Sequence, residues 1–175
     1  MTSRRLLLSG TAIGLLGAIA PRWWPCFAAP GAFEVTHSDA EWRALLTPEQ
    51  YAVLRQSGTE PPFTSPLLEE HRAGTFACAG CARDLFSSTT KFDSHTGWPS
   101  FWAPLEGAVG EARDTTFGMV RAAVQCSRCG GHLGHVFDDG PKPTGLRYCM
   151  NGIVMIFKPG DRLTKQLSGV QAGQS

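Results

Sequence analysis

Two Cys-x-x-Cys pairs, Cys78-Ala79-Gly80-Cys81 and Cys126-Ser127-Arg128-Cys129, constrain this chain more than any other feature. Each pair lets two thiolates of one tight turn face the same ion, and two pairs complete a tetrahedral shell. Residues 82–125 lie between them, a longer spacing than a simple zinc finger uses. The site must therefore join two distant strand-turns of one domain. A closed shell of four thiolates leaves no open coordination position, so the expected zinc, one per chain, is structural and not catalytic. The same cysteines could instead form two disulfides, local or crossed. The turn glycines Gly80, Gly130 and Gly131 favour metal knuckles.

The 175 residues suit one domain with a core of its own. Ser38 followed by Glu41 is a capping-box signal that opens a short helix through Leu46. Thr47-Pro48-Glu49-Gln50 repeats the signal, with Pro48 at the first helical position, for a helix running to about Gln56 and stopping at Gly58. Thr59-Glu60-Pro61-Pro62-Phe63-Thr64 must be an extended loop. From Gly74 onward short apolar runs alternate with Gly, Pro and Asp breaks. The runs 74–78, 83–87, 111–117, 119–126 and 146–157 read as antiparallel strands. A mainly β fold is expected, with a polar tail over 161–175.

The N-terminus differs in kind. Arg4-Arg5 precede an uncharged, mostly apolar run from Leu6 to Ala20, and Pro21, Pro25 and the small residues Ala28-Ala29 follow. The run is short for a membrane span and has the order of an export signal. Ser3-Arg4-Arg5-Leu6-Leu7-Leu8 resembles a twin-arginine signal, which carries folded, metal-loaded proteins and predicts a periplasmic location. Cleavage after Ala20 would place Pro21 next to the cut. Cleavage after Ala28 leaves small residues at the key positions and removes Cys26, so 1–28 is the expected signal and 29–37 a leader. Removing Arg4, Arg5 and Arg22, with no acid, takes the formal charge from +1 to −2. A slightly acidic mature domain offers no electrostatic reason to bind nucleic acid, and no stable membrane insertion is expected once the signal is gone.

Cys149 stands outside both pairs. Arg147, two residues before it, is a positive charge able to lower a thiol pKa, and a thiolate is a nucleophile. His132 and His135, from a loop or strand, can flank one cavity with two imidazoles. Trp98 and Phe137 supply flat apolar walls. Singly, each has a plainer explanation as a core or hydrogen-bonding residue. Their combination points to a thiol enzyme.

Together Thr59-Glu60-Pro61-Pro62-Phe63, both cysteine pairs, Lys91-Phe92-Asp93-Ser94, Gly97-Trp98-Pro99-Ser100-Phe101, His132-Leu133-Gly134-His135-Val136-Phe137 and Arg147-Tyr148-Cys149-Met150-Asn151 resemble the methionine-R-sulfoxide reductase B family. The likeness runs from about Ser38 to Phe157, within a domain taken as 38–160. It implies two antiparallel sheets in a β-tent-like arrangement behind short N-terminal helices, a zinc site far from the chemistry, and reduction of the R epimer of methionine sulfoxide in proteins. It also implies roles. Cys149 attacks the sulfoxide sulfur. His132, His135 and Asn151 bind and protonate the oxygen, directly or through water, making water the leaving group. Trp98 holds the ε-methyl group, Phe137 shapes the adjoining wall, and Arg147 helps keep Cys149 ionised. A sulfoxide has a polar oxygen beside an apolar methyl, so donors on one wall and an aromatic on the other are what it needs.

The chain departs from the family at one place. Many members carry a resolving cysteine just before Gly-Trp-Pro-Ser-Phe, where this chain has His95-Thr96. With four cysteines on zinc and Cys26 removed, a sulfenic acid on Cys149 is expected to be reduced by an external thiol, thioredoxin-like or small. A monomer is expected. The rival classes are a zinc-ribbon binding module without catalysis, which the charge and the lack of a Lys/Arg stripe disfavour, and a zinc-dependent hydrolase, which would need an open metal position.

Overall fold

A computed structural model describes residues 33–118 and 120–160. The export signal 1–28, residues 29–32 of the leader and the tail 161–175 lie outside the described residues. No helix among the described residues is long and apolar enough to cross a membrane.

Two capped helices open the domain. In α1 (Asp39–Leu45) the Ser38 hydroxyl accepts from Glu41 N–H at 3.4 Å, and the Glu41 carboxylate accepts from Ser38 N–H at 2.8 Å. Thr47 and Gln50 repeat the exchange at α2 (Pro48–Gln56). Such caps satisfy N–H groups that a first turn leaves orphaned, each worth about 1 kcal/mol. The end of α2 differs slightly from expectation. Ser57, not Gly58, takes the left-handed conformation (φ 56°), and Gly58 N–H closes the turn onto Ala52 C=O at 2.9 Å. Helix α2 buries Tyr51, Val53 and Leu54, and reaches the β domain through Arg55 Nη1 to Cys129 C=O (3.1 Å) and Gln50 Nε2 to Ile153 C=O (3.1 Å).

The remainder is two antiparallel sheets, as expected. One orders β2 (Asp84–Ser87), β1 (Gly74–Cys78) and β9 (Met155–Pro159). The other orders β3 (Lys91–Phe92), β4 (Ser100–Phe101), β8 (Arg147–Met150), β7 (His132–Phe137), β6 (Arg121–Cys126) and β5 (Val109–Asp114). Their inner faces meet through aromatics. Phe101 of β4 stacks on Phe86 of β2 (centroids 4.4 Å) and meets Phe76 of β1 edge-on (5.0 Å), all three fully buried. Each such ring contributes roughly 1.5–3 kcal/mol by burial, and offset or edge contacts add about 1 kcal/mol.

Several strands differ from their sequence reading. The apolar run 146–157 is two strands: β8 lies inside the larger sheet and β9 at the edge of the smaller one, so the chain changes sheets over Asn151–Val154. The crossing is fixed from a distance. The buried Glu60 carboxylate accepts Gly152 N–H and Ile153 N–H, and a Cβ on Gly152 would lie 1.8 Å from Ser65 Oγ. The run 111–117 ends as a strand at Asp114, whose carboxylate accepts Thr116 N–H (2.9 Å) and turns the chain. Strands β3 and β4, two residues each, were not expected.

Candidate active site

Register places the reactive residues. Ser100 on β4 pairs with Cys149 on β8, and Cys149 pairs with His135 on β7, so three central strands set them in one row. Along β8 burial alternates. Tyr148 and Met150 enter the core, while Arg147 and Cys149 face the other way. On β7 an irregularity adds one residue: Val124 of β6 pairs with Gly134, but Gln125 pairs with His132, leaving Leu133 unmatched. Residues three apart in a regular strand point to opposite faces. The extra residue restores a common side, and the His132 and His135 rings meet at 5.3 Å. Gly134 permits the close approach of β7 and β8, because a Cβ there would lie 2.1 Å from Cys149 C=O.

Cys149 opens into a cavity of about 170 Å³ lined by Thr59, Trp98, Arg121, Gly134, His135, Phe137 and Asn151. The structure thus brings Cys149, His135, Asn151, Trp98 and Phe137 together. Of the other two expected residues, His132 lies behind His135 and Arg147 lies beneath Phe137, its guanidinium 4.5 Å from the ring centre. Trp98 is fixed by Nε1 donating to Glu60 C=O at 3.1 Å.

Asn151 is a strut as well as a wall. It is buried, its Oδ1 accepts Glu60 N–H at 2.9 Å, and its Nδ2 donates to Leu133 C=O at 3.0 Å. These bonds use one of the two Nδ2–H donors and leave the second free.

Arg147 acts on Cys149 less simply than expected. Burial pushes the Cys149 thiol up, while Thr96, Arg147 and Ser100 pull it back down without cancelling the rise. The reason is visible in the ion pair: Arg147 Nε and Nη2 both donate to the Asp139 carboxylate at 2.8 Å. Much of its charge is compensated there.

His132 is 8% exposed, and its Nε2 has no partner among the described residues. Burial, with the neighbouring His135 second, pushes its pKa down from 6.5 to about 4. An unfolded His132 takes up its proton near pH 6.5 and the folded one resists until about 4. Between those values the unfolded chain binds more protons, so stability falls as pH falls, by on the order of 3 kcal/mol at most. The variant His132→Gln should be less sensitive than the parent when unfolding is measured at pH 7 and pH 5. Equal pH slopes would refute this.

The four paired cysteines converge as expected. Their Sγ atoms all lie within 4.8 Å of one another, with Cys78 to Cys129 at 3.8 Å and Cys81 to Cys126 at 3.5 Å. A disulfide needs about 2.05 Å. A tetrahedral ion with sulfur bonds of about 2.3 Å requires sulfur–sulfur edges of roughly 3.8 Å, so this donor set fits such an ion. Crowded sulfurs cannot share negative charge without one. Cys129 and Cys78 hold the Cys126 thiol far down, whereas Cys126 pushes Cys129 and Cys78 up. A divalent cation removes that conflict.

A family model described as the SelR domain matches residues 46–159. The chain belongs to the SelR domain family. That meets the expectation of a methionine-R-sulfoxide reductase B family member. The chain is 58% identical over 127 residues to a protein of Agrobacterium fabrum named peptide methionine sulfoxide reductase MsrB, covering 72% of this chain and 94% of that one. Proteins of the same name from Pseudomonas putida (59% over 122 residues, 69% and 92% covered) and Leifsonia xyli (55% over 136 residues, 77% and 98% covered) are similar. The matched SelR span contains both cysteine pairs and the whole cavity around Cys149.

Four polar residues of this SelR site escaped sequence reasoning. Thr59 and Arg121 line the cavity, Glu60 holds the sheet crossing, and Asp114 Oδ2, 2.8 Å from His135 Nε2, accepts from that nitrogen when it carries the proton. Only Asp114 carried a local signal, since Asp followed two residues later by Thr is an Asx-turn pattern. Glu60, in a proline-flanked loop, reads as solvent-facing.

Proposed function

We propose that this chain reduces methionine-R-sulfoxide in oxidised proteins to methionine, with Cys149 as nucleophile. The observation that carries the reading is a half-buried thiol in register with His135, in a cavity walled by Trp98 and Phe137. His135 stands where it can give a proton to the sulfoxide oxygen as Cys149 attacks sulfur, and Trp98 where it can take the methyl group. Over the half-reaction one oxygen atom moves from methionine sulfoxide to Cys149, leaving methionine and a cysteine sulfenic acid. A first external thiol displaces water from that sulfenic acid to form a mixed disulfide, and a second releases Cys149 as a thiol. Turnover of resolved R and S epimers with a dithiol reductant is the test, and equal rates would refute this pocket.

Zinc on Cys78, Cys81, Cys126 and Cys129 serves the fold in this reading. It would supply no step of the reaction, because four thiolates close its shell. An export signal over 1–28 and a periplasmic location complete the proposal, supported by the Arg4-Arg5 pattern. Mass analysis of the exported protein would fix its mature N-terminus and the fate of Cys26.

Support for the external thiol comes from Thr96, whose Oγ1 lies 3.8 Å from Cys149 Sγ. The resolving position is thus beside the nucleophile but holds a hydroxyl, itself bonded to Ser94 Oγ at 2.8 Å. Thr96→Cys should create an intramolecular disulfide with Cys149 after one turnover, visible as loss of two thiols by mass spectrometry. Persistence of the sulfenic acid in that variant would show that the loop cannot close to bonding distance.

A further inference from the structure

Asp114 lies on β5, two strands away from β7 in the order of the sheet, yet its Oδ2 is 2.8 Å from His135 Nε2. The carboxylate is locked in place. Its Oδ1 accepts Thr116 N–H (2.9 Å) and the Thr116 hydroxyl (2.7 Å), and its Oδ2 also accepts Arg121 Nη2 (2.7 Å). Both side chains of the contact are largely shielded, Asp114 at 15% exposure and His135 at 13%. We propose that Asp114 is a positioning residue for His135: it takes the Nε2–H, fixes the ring, and leaves Nδ1 as the nitrogen that exchanges a proton at the sulfoxide. This rests on the reductase reading given above.

The proton balance follows from the two ring nitrogens. Nδ1 takes the Cys149 thiol proton as the sulfur attacks; with both nitrogens then protonated, Nε2–H is held by Asp114 and Nδ1–H is free to donate. Transfer of the Nδ1 proton to the departing oxygen leaves a neutral imidazole that still carries Nε2–H, so the Asp114 bond is unbroken throughout. Thr116 N–H and hydroxyl, followed by His135, hold Asp114 far below the ordinary carboxylate range, so it stays ionised wherever the enzyme works. The other titratable and charged groups around the ring are Arg121 from β6, His132 on β7 itself, and Cys149 with Arg147 from β8. Arg121 shares the Asp114 carboxylate and so moderates its pull on His135. Without Asp114 the ring would keep its place in β7 but lose both the selected nitrogen and the nearest negative charge.

Asp114→Asn keeps the shape of the side chain and can still accept from Thr116. In the zinc-loaded protein it should lower kcat for methionine-R-sulfoxide by about 10- to 100-fold with KM changed less than about threefold, within the range of general-acid effects. Combining it with His135→Ala should cost no more than His135→Ala alone, because Asp114 acts only through that ring. A structural role would multiply the two losses, and that result overturns the proposal. Nitrogen NMR of the resting protein gives a readout that needs no substrate. His135 should carry its proton on Nε2 in the parent and a mixture in Asp114→Asn. An Nδ1–H tautomer in the parent overturns the positioning role even if the reductase reading stands. Absence of sulfoxide reduction beside an Nε2–H tautomer overturns the reading of function alone.

Discussion

Replacing Cys149 by serine is expected to abolish sulfoxide reduction, by at least about a thousandfold, while zinc content and fold are retained. A serine hydroxyl near neutral pH is a far weaker nucleophile than a cysteine sulfur, and the His135, Trp98 and Phe137 walls would remain to bind substrate without converting it. The residue is half-buried, and its sulfur makes a weak contact with Thr96 at 3.8 Å. Its exchange for an isosteric hydroxyl should therefore move the melting temperature little. Steady-state assay and thermal unfolding of the same sample check both halves. Residual activity within tenfold of the parent would remove Cys149 from the chemistry, and the roles of His135 and Asp114 would fall with it.

Loss of a single zinc ligand is expected to have the largest effect on stability. Cys78 and Cys126 are fully buried, and they tie the ends of β1 and β6, one strand from each sheet. Apparent binding free energies for structural zinc are about 10–16 kcal/mol in small domains. The whole stability of an ordinary domain is about 5–15 kcal/mol. Cys126→Ser should therefore yield a protein that is unfolded or aggregated at 37 °C, and chelation of the parent should do the same more slowly. Zinc content measured with circular dichroism decides this. A variant that folds at parental stability without metal would show that the cysteines do not hold the sheets together.

Much of the fold was legible where its causes are local. Both capping boxes read correctly because donor, acceptor and proline lie within four residues of each other. The four-cysteine cluster read correctly because knuckle spacing is itself a geometric statement. The split of 146–157 into β8 and β9 was not legible. Apolar periodicity continues across Asn151–Val154, and the residues that force the crossing, Glu60 and Ser65, lie far back in the sequence. His132 and His135 share a side because Leu133 is an unmatched residue between them, and a register shift leaves no trace in composition. Arg147 was legible as a charge beside Cys149, but its Asp139 partner and the burial that outweighs it depend on packing. The Asp114–His135 contact joins strands that only the sheet order brings together.

A single-turnover experiment on Cys149 tests the proposed chemistry most directly. Zinc-loaded protein, free of reductant, is mixed with an excess of a peptide containing methionine-R-sulfoxide and trapped with a sulfenic-acid reagent. One methionine should form per chain, with one oxygen gained at Cys149, no intramolecular disulfide, and no turnover of the S epimer. Methionine formed without modification of Cys149, or with a disulfide between zinc-site cysteines, would contradict it.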